Sequence, residues 1–308
     1  MTESASNTNP IRQALTGPIA SVRTPFNRDG SIDFDGVRRV IDFNLDAGSK
    51  ATLVTAGDSH FTCMSDEEKA AVNRVAIEHT AGRALVVACD WEFATPQAVD
   101  CARTCADLGA DMIMVRPPDW ANSCTVDTLV EHYAAVAEIM PVMLVTNLFK
   151  ERPTAFALDT IARVRDTVPN VRALKDDLQG DFARKACLLV HTSWAILSGG
   201  GLRNHMNMHP YGCDGFMDRH MNFAPRISHR YWDAVRAGAL GQARSVIQDI
   251  EIPLEDFMGT FPGGRDAAMH GLLEIVEIAG RWRRPPYHSL TDKEMVCLKD
   301  FVNEMGLP

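Results

Sequence analysis

The sequence predicts an α/β fold, specifically a (β/α)8 TIM barrel with a C-terminal helical extension. Eight short apolar runs recur along the chain, and a stretch with helical periodicity follows each of them. The runs begin near residues 19, 51, 84, 112, 142, 171, 195 and 215. Their continuous apolarity is typical of strands that are buried on both faces, as in parallel sheets. Eight such alternations favour a barrel over a doubly wound sheet, which usually has fewer strands.

Local signals mark where the helices begin and end. Asp33 or Asp35 can cap the first long helix, which we expect to end at Gly48. Ser65 and Glu68 have the spacing of a capping box and open the next helix. The further helical patterns cover residues 95–108, 127–139, 158–168, 227–237, 240–257, 265–279 and 291–305.

The last helices are predicted to belong to the same domain as the barrel. No linker rich in Pro, Gly or Ser separates the two parts of the sequence. We therefore expect a flexible lead-in over residues 1–16, the barrel over residues 17–238 and a helical cap over residues 239–308. The N-terminal segment has neither a basic start nor an apolar core, so it is not predicted to be a signal peptide.

Composition and charge argue against several classes of protein. A chain of 308 residues with 46% hydrophobic and 23% charged residues is typical of a globular protein. A formal net charge of −9 and the lack of a long basic run argue against binding to nucleic acid. No apolar stretch approaches the ~20 residues that a membrane helix requires. The eight cysteines form no CxxC pair, so we expect reduced thiols in a cytoplasmic protein.

The sixth apolar run ends in a candidate catalytic residue. Lys175 directly follows the run Val171–Leu174, and active sites of barrels lie where the strands end. Burial there disfavours the ammonium form and makes the amine a nucleophile that can form a Schiff base with a carbonyl substrate. The imine would itself be the electron sink, so we predict neither a metal nor an organic cofactor. The alternative is a surface lysine that is paired with Asp176.

Short motifs in a fixed order carry a family resemblance. They are Thr24-Pro25-Phe26, Asp29–Asp33, Phe61–Glu68, Pro169–Asp176, Leu197–Gly200, Gly212–Gly215, Asn222–Pro225 and Arg284-Pro285-Pro286. With these motifs the chain resembles the dihydrodipicolinate synthase / N-acetylneuraminate lyase family of class I aldolases, over about residues 17–290. The resemblance implies a TIM barrel with Lys175 as the imine-forming residue. It also implies a small-molecule carbonyl substrate and a homo-oligomer, either a tetramer or a dimer.

The sequence departs from the family pattern at three places. The family usually has Gly-Thr-Thr-Gly-Glu after the second strand, where it holds the carboxylate of pyruvate, and this chain has Ala56–His60. Asp58 would bring a negative charge to that carboxylate, so we expect pyruvate to be a poor ligand. The proton-relaying tyrosine of the family's Pro-Tyr-Tyr motif is missing from Arg116–Trp120. The tyrosine that precedes Asn147 in the family is replaced by Thr146.

We interpret these departures as a rebuilt site on a retained lysine scaffold. The predicted function is a Schiff-base-forming lyase of aldolase or hydro-lyase type, which acts on an oxo-acid or related carbonyl compound. Lys175, His60 and Asp58 are the predicted catalytic residues. Arg116 can hold a carboxylate with two hydrogen bonds and offset the charge of Asp58, and Asp119 is a further acid/base candidate. The predicted substrate-binding residues are Gly57, Ser59, Arg116, Trp120, Thr146, Asn147, Gly199 and Phe216.

Two other functions are compatible with the sequence. A barrel that has lost the chemistry would be a non-catalytic small-molecule-binding protein. His205 and His209 have the i, i+4 spacing that places two imidazoles on one helical face, as zinc sites require, which would suit a metal-dependent hydrolase. No third ligand accompanies them in the sequence, so we predict no metal site there.

Overall fold

The protein forms the predicted (β/α)8 TIM barrel with additional C-terminal helices. The computed structural model describes residues 9–92 and 94–307. Its strands are β1 (Gly17–Ile19), β2 (Ala51–Leu53), β3 (Leu85–Cys89), β4 (Met112–Val115), β5 (Val142–Val145), β6 (Val171–Asp176), β7 (Ala195–Ser198) and β8 (Gly215–Met217). Together they form one sheet in the order β1-β8-β7-β6-β5-β4-β3-β2. The predicted fold class and the eight strand positions are therefore confirmed.

Thirteen α-helices lie in the described part of the chain, most of them between strands. They are α1 (Pro10–Ala14), α2 (Phe34–Asp46), α3 (Asp66–Thr80), α4 (Thr95–Asp107), α5 (Val126–Ala137), α6 (Thr154–Thr167), α7 (Gly180–Val190), α8 (Gly201–Met208), α9 (Pro225–Arg236), α10 (Leu240–Val246), α11 (Ile252–Gly259), α12 (Gly264–Ile275) and α13 (Asp292–Glu304).

Two predicted helix starts agree with the observed caps, whereas the helix predicted from residue 158 begins at Thr154. Asp33 caps α2 by accepting a hydrogen bond from the Gly36 amide. Ser65 and Glu68 form a capping box at the start of α3. The helix predicted over residues 240–257 is instead interrupted by a π-helical turn at Ile247–Glu251. Pro253 lies two residues after this turn. It lacks the backbone N–H that a regular helix would use, which accounts for the irregular hydrogen bonding.

The chain divides into two compact units. The first comprises the residues up to Gly17, Asp90–Asp107 and Asp111–Met217, and the second comprises Pro18–Cys89, Leu108–Ala110 and the residues from Asp218 onward. In the first unit, β4 to β8 pair in parallel, with Lys175 opposite Val145 on one side and Leu197 on the other. In the second unit, β2 pairs in parallel with β3.

The described part of the predicted lead-in contains a short helix. Residues 1–8 of that predicted segment lie outside the described residues. Pro10–Ala14 form α1, and Leu15 is fully buried. The Arg12 guanidinium fastens this helix within the first unit because it donates to the backbone carbonyls of His191, at 2.7 Å, and Trp194. None of the helices in residues 9–92 and 94–307 is long and apolar enough to span a bilayer.

A buried ion pair lies in the second unit, outside the predicted site. The Asp218 carboxylate is 2.8 Å from Nδ1 of His220 and accepts a hydrogen bond from Ser228 Oγ at 2.7 Å. Burial alone would lower the pKa of His220, but the charge of Asp218 raises it above its ordinary value. Burial alone would raise the pKa of Asp218, but His220 lowers it. The pair is therefore charged in the folded protein at pH values between the lowered pKa of Asp218 and the raised pKa of His220.

We expect Asp218→Asn to lower the free energy of unfolding by about 3–5 kcal/mol, because it leaves a buried imidazolium without its partner. Since the pKa of His220 is raised on folding, this stabilisation is complete below about pH 6.5 and is lost as pH rises through the folded pKa. Urea unfolding between pH 5.5 and 9 should show the deficit shrinking at high pH. Asp233→Asn, an exposed change on α9, is the control. A deficit that is the same at every pH would show that the charge of His220 contributes nothing.

Candidate active site

Lys175 is buried at the end of β6, in the first unit. Its side chain is 5% exposed, and Nζ lies 2.5 and 2.6 Å from the two carboxylate oxygens of Asp177. The lysine is thus neither a surface residue nor a partner of Asp176, as the alternative interpretation had proposed. A bidentate contact of this kind holds the ammonium at one position and places a proton acceptor directly against it.

The loop after β6 is shaped by Asp176 and Thr146. The buried Asp176 carboxylate accepts hydrogen bonds from Thr146 Oγ1, at 3.0 Å, and from the Gln179 amide, also at 3.0 Å. Burial raises the pKa of Asp176. Thr146 Oγ1 in turn accepts from the Asp177 amide at 2.9 Å. The hydroxyl of Thr146, predicted to bind substrate, therefore positions the backbone that carries Asp177.

Gly199, a predicted substrate-binding residue, makes room for Asp177. A Cβ atom at this position would overlap Asp177 Oδ1 and would lie 2.9 Å from the Asp176 carbonyl oxygen. The Gly199 amide donates to that same carbonyl at 2.7 Å. The close approach of this backbone to the Lys175–Asp177 pair requires glycine.

The other predicted residues of the first unit have varied surroundings. Asp119 forms an ion pair with Arg152 at 2.5 Å and accepts from the Cys124 amide, so it fastens a loop and is not available as the acid/base candidate we had predicted. Trp120 is 81% exposed. Asn147 accepts from the next backbone amide, at 2.9 Å. Phe216 is fully buried, with its ring centroid 4.7 Å from that of His205.

Two carboxylates of the first unit were missed by our interpretation of the sequence. Asp177 lies against Lys175, as described above. Asp90 directly follows β3 and is 1% exposed. Burial raises the pKa of Asp90 to about 6, although the charge of Arg116 opposes the rise. Its position at the end of a buried strand was the available signal, and it is the same signal that identified Lys175.

Asp58 is charge-paired in the second unit. Its carboxylate accepts from Ser21 Oγ at 2.6 Å and lies 3.1 Å from the guanidinium of Arg23. Burial would raise the pKa of Asp58, but the charge of Arg23 lowers it below its usual value. Asp58 is therefore a carboxylate at neutral pH and not a proton donor. The cation that we predicted to offset it was Arg116, but the structure places Arg23 in that position.

Ser59 and Gly57 flank Asp58 in the same turn. Ser59 is buried, and its hydroxyl donates to the Val22 carbonyl at 2.5 Å and accepts from the Thr55 amide at 3.1 Å. These bonds give Ser59 a structural role in the turn, and the substrate contact predicted for it stays a prediction. A Cβ atom at Gly57 would meet no atom of residues 9–92 or 94–307 within 4 Å, so this residue borders open space.

His60 belongs to a group of three possible metal ligands in the second unit. Its Nε2 lies 2.7 Å from Nε2 of His270 and 3.7 Å from Oδ2 of Asp266. Within the described chain, this is the group of His, Cys, Asp and Glu side chains whose ligand atoms lie close enough to hold an ion. However, Arg23 and Arg283 each contact one oxygen of Asp266. Two guanidiniums on the carboxylate disfavour a further cation there.

Comparisons with known proteins support one family. Residues 14–305 match a family model described as the dihydrodipicolinate synthetase family. A 4-hydroxy-tetrahydrodipicolinate synthase of Azoarcus sp. (strain BH72) is 30% identical over 239 residues, which is 75% of this chain and 79% of the relative. The "Probable 5-dehydro-4-deoxyglucarate dehydratase 2" of Streptomyces coelicolor is 28% identical over 263 residues, 82% of this chain and 79% of that protein.

Solved structures share the fold. Dihydrodipicolinate synthase from Oceanobacillus iheyensis has a TM-score of 0.83 at 20% identity, over 96% of this chain and 98% of that one. YagE, a prophage protein of E. coli K12 in complex with pyruvate, has a TM-score of 0.79 at 24% identity, over 95% and 99% of the two chains. At these identities the likeness concerns the fold.

Proposed function

The chain belongs to the dihydrodipicolinate synthetase family, and from this premise we propose that it is a Schiff-base-forming lyase that acts on an oxo-acid or related carbonyl compound through Lys175. The observation that carries the proposal is the buried position of Lys175 at the end of β6, with Nζ held by Asp177. A lysine that had lost its function would have no reason to remain buried at this point, because burying an ammonium group costs free energy.

Asp177 supplies what imine formation needs. The nucleophile is the neutral amine, so the ammonium proton must first be removed. Asp177 takes that proton, and the Lys175 nitrogen attacks the carbonyl carbon to form a carbinolamine. Asp177 then returns the proton to the hydroxyl group of the carbinolamine, which leaves as water. The product is an iminium ion on Lys175. In aldolase chemistry it accepts the electrons of the breaking Cα–Cβ bond while the β-hydroxyl group gives up its proton and becomes a carbonyl. In hydro-lyase chemistry it accepts the electrons of the Cα–H bond, whose proton passes to a base, and the resulting enamine expels the protonated β-hydroxyl group as water.

The expected substrate class follows from the charged residues in and around the segment Ala56–His60. Gly57 and Asp58 stand where the family has the paired threonines that hold pyruvate, and Arg23 pairs with Asp58, so a substrate larger or more polar than pyruvate is favoured. The relatives include proteins named as a synthase and as a dehydratase. The proposal therefore covers aldolase and hydro-lyase chemistry. We also expect a cytoplasmic homo-oligomer, dimer or tetramer, which light scattering would test.

Reductive trapping tests the function. The protein is treated with borohydride in the presence of pyruvate, a longer 2-oxo acid, a 3-deoxy-2-oxo sugar acid or an aldehyde without a carboxylate, and intact mass reports the adduct. We expect at least one oxo-acid to add its reduced mass to the peptide that contains Lys175, and pyruvate to react weakly. If no compound is trapped while a metabolite still raises the melting temperature, the protein is a non-catalytic binder. Loss of activity on chelation would favour a metal-dependent hydrolase.

Arg116 is the residue that we propose to bind a substrate carboxylate. Arg116→Lys keeps the charge and loses the planar fork, so we expect KM to rise by the equivalent of about 1.5–3 kcal/mol with little change in melting temperature. Asp119 forms an ion pair with Arg152, and Asp58 forms one with Arg23. Arg152→Lys is the matched control, because Arg152 fastens a loop and its loss should lower the melting temperature and leave KM unchanged. The same pattern in Arg116→Lys would rule out substrate binding by Arg116.

A further inference from the structure

Two buried histidines of the second unit are joined by a single hydrogen bond. His60 follows β2 and His270 lies in α12, 210 positions later in the chain. Their Nε2 atoms are 2.7 Å apart, and the side chains are nearly inaccessible to solvent. His60 has left-handed backbone angles, φ 59° and ψ 31°, which are uncommon for a residue other than glycine. Backbone strain of this kind often marks functional positions.

Burial keeps both rings of the pair neutral, and the charged groups around them nearly balance one another. The carboxylates of Asp58 and Asp266 are matched by the guanidiniums of Arg23 and Arg283. Burial, followed by the positive charges of the arginines, lowers the pKa of His60 to about 4, although Asp266 opposes the shift. Burial also lowers the pKa of His270 well below its ordinary value. Neither imidazole gains a proton near neutral pH.

Because both rings are neutral, the hydrogen bond between them can have only two arrangements: either His60 or His270 is the donor. Of two neutral imidazoles that meet through Nε2, one must donate and the other must accept. Nδ1 of His270 is buried and has no hydrogen-bond partner among the described residues. A buried N–H without a partner is rarer in proteins than an unfilled acceptor. His270 therefore carries its proton on Nε2 and donates it to Nε2 of His60.

We propose that His270 is a positioning residue that fixes His60 as a neutral imidazole protonated on Nδ1. This inference rests on the proposed function and on the sequence-based prediction that His60 is catalytic: its Nδ1–H would then donate to a substrate oxygen that becomes negative during the reaction. A neutral imidazole donates from the same nitrogen over a wide pH range, whereas an imidazole of ordinary pKa changes its charge and its number of N–H donors near pH 6.5. In this proposal His60 is a fixed hydrogen-bond donor and not the titrating acid or base predicted from the sequence.

The tautomer can be measured directly. Solid-state 15N spectra of the protein labelled in histidine report which nitrogen carries the proton, and His60→Gln identifies the signals of His60. We expect a protonated Nδ1 and a bare Nε2 on His60 at every pH from 5.5 to 8.5. A His60 that carries its proton on Nε2 would overturn the proposal. This measurement needs no turnover, so a failure of reductive trapping at Lys175 would refute the proposed function and leave the result on His60 intact.

Variants of His270 separate positioning from simple packing. His270→Leu should lower kcat by about 10²-fold, the lower range for losing one oxyanion donor, with KM changed by less than about threefold. It should also mix the His60 tautomers. His270→Gln keeps an amide donor and should recover most of the activity. His229→Gln, which removes another hydrogen-bonded imidazole of the second unit, is the control.

Two results would overturn the assignment of His270. One is an unchanged His60 tautomer in His270→Leu together with an equal loss of kcat in both variants, which would indicate a packing role. The other is stoichiometric Zn²⁺ binding by the wild type that His270→Leu abolishes, because His60, His270 and Asp266 would then form a metal site. Neither outcome is expected, since both oxygens of Asp266 contact guanidiniums.

Discussion

Lys175→Ala should abolish reductive trapping and lower kcat on the order of 10⁶-fold, the scale on which loss of a covalent nucleophile lowers turnover. The reason is chemical: without the amine no iminium forms, and the bond next to the carbonyl has no electron sink. The measurement combines borohydride trapping, read by intact mass and peptide mapping, with the rate of substrate loss.

Lys175→Arg shows whether the loss of activity in Lys175→Ala comes from the missing amine or from misfolding. The guanidinium keeps the positive charge beside Asp177, so the folded structure should be retained, but it cannot form an imine. We expect a melting temperature close to that of the wild type and no adduct. Lys185→Ala is the control, because Lys185 is exposed and paired with Asp181 on the surface of α7. An adduct on Lys185 or Lys150 would show that the imine-forming residue has been misassigned.

The sequence was sufficient for the fold and for the position of Lys175. Continuous apolar runs can be interpreted without knowledge of tertiary contacts, because a parallel strand buried on both faces tolerates few polar residues. A lysine placed directly after such a run therefore stands out. Asp90 likewise directly follows a buried strand, β3. It was not predicted as a site residue because it belongs to no recognisable motif.

The partners of the charged residues could not be predicted in the same way. Arg23 and Asp58 are 35 positions apart, and His60 and His270 are 210 positions apart. Such pairings depend on how loops fold back, for which the sequence has no periodic signal. The pairing of Lys175 was misjudged at short range as well. We weighed Asp176, but the backbone of β6 turns that side chain toward Thr146 and presents Asp177 to the amine.

Asp177→Asn is expected to lower kcat by about 10²- to 10⁴-fold, the range for losing a general acid/base. The amide keeps the shape of the side chain but cannot take the ammonium proton. Imine formation should become rate-limiting, so the adduct on Lys175 should still form, but slowly. Time-resolved trapping in a quench-flow instrument measures this rate separately from turnover.

Asp181→Asn is the control for Asp177→Asn, since it makes the same chemical change at an exposed position in α7. Asp176→Asn is a second comparison, for which we expect a loss of stability. Because the Asp176 carboxylate accepts from Thr146 and from backbone amides, its replacement should lower the melting temperature more than Asp177→Asn does. If Asp177→Asn traps substrate as fast as the wild type, Asp177 is only a counter-ion.

Gly199→Ala tests the same role without removing a charge. A methyl group at this position would occupy the space of Asp177 Oδ1, so the carboxylate must move away from Lys175. The variant should therefore show the slow trapping of Asp177→Asn while keeping every titratable group of the site.

The double variant Gly199→Ala/Asp177→Asn shows whether the effect of Gly199→Ala depends on Asp177. If Gly199→Ala acts through Asp177, the double variant should be no slower than Asp177→Asn alone, because the group that the methyl displaces no longer takes part. Multiplicative losses would mean that Gly199 acts independently, through its backbone or through the space that it leaves for substrate.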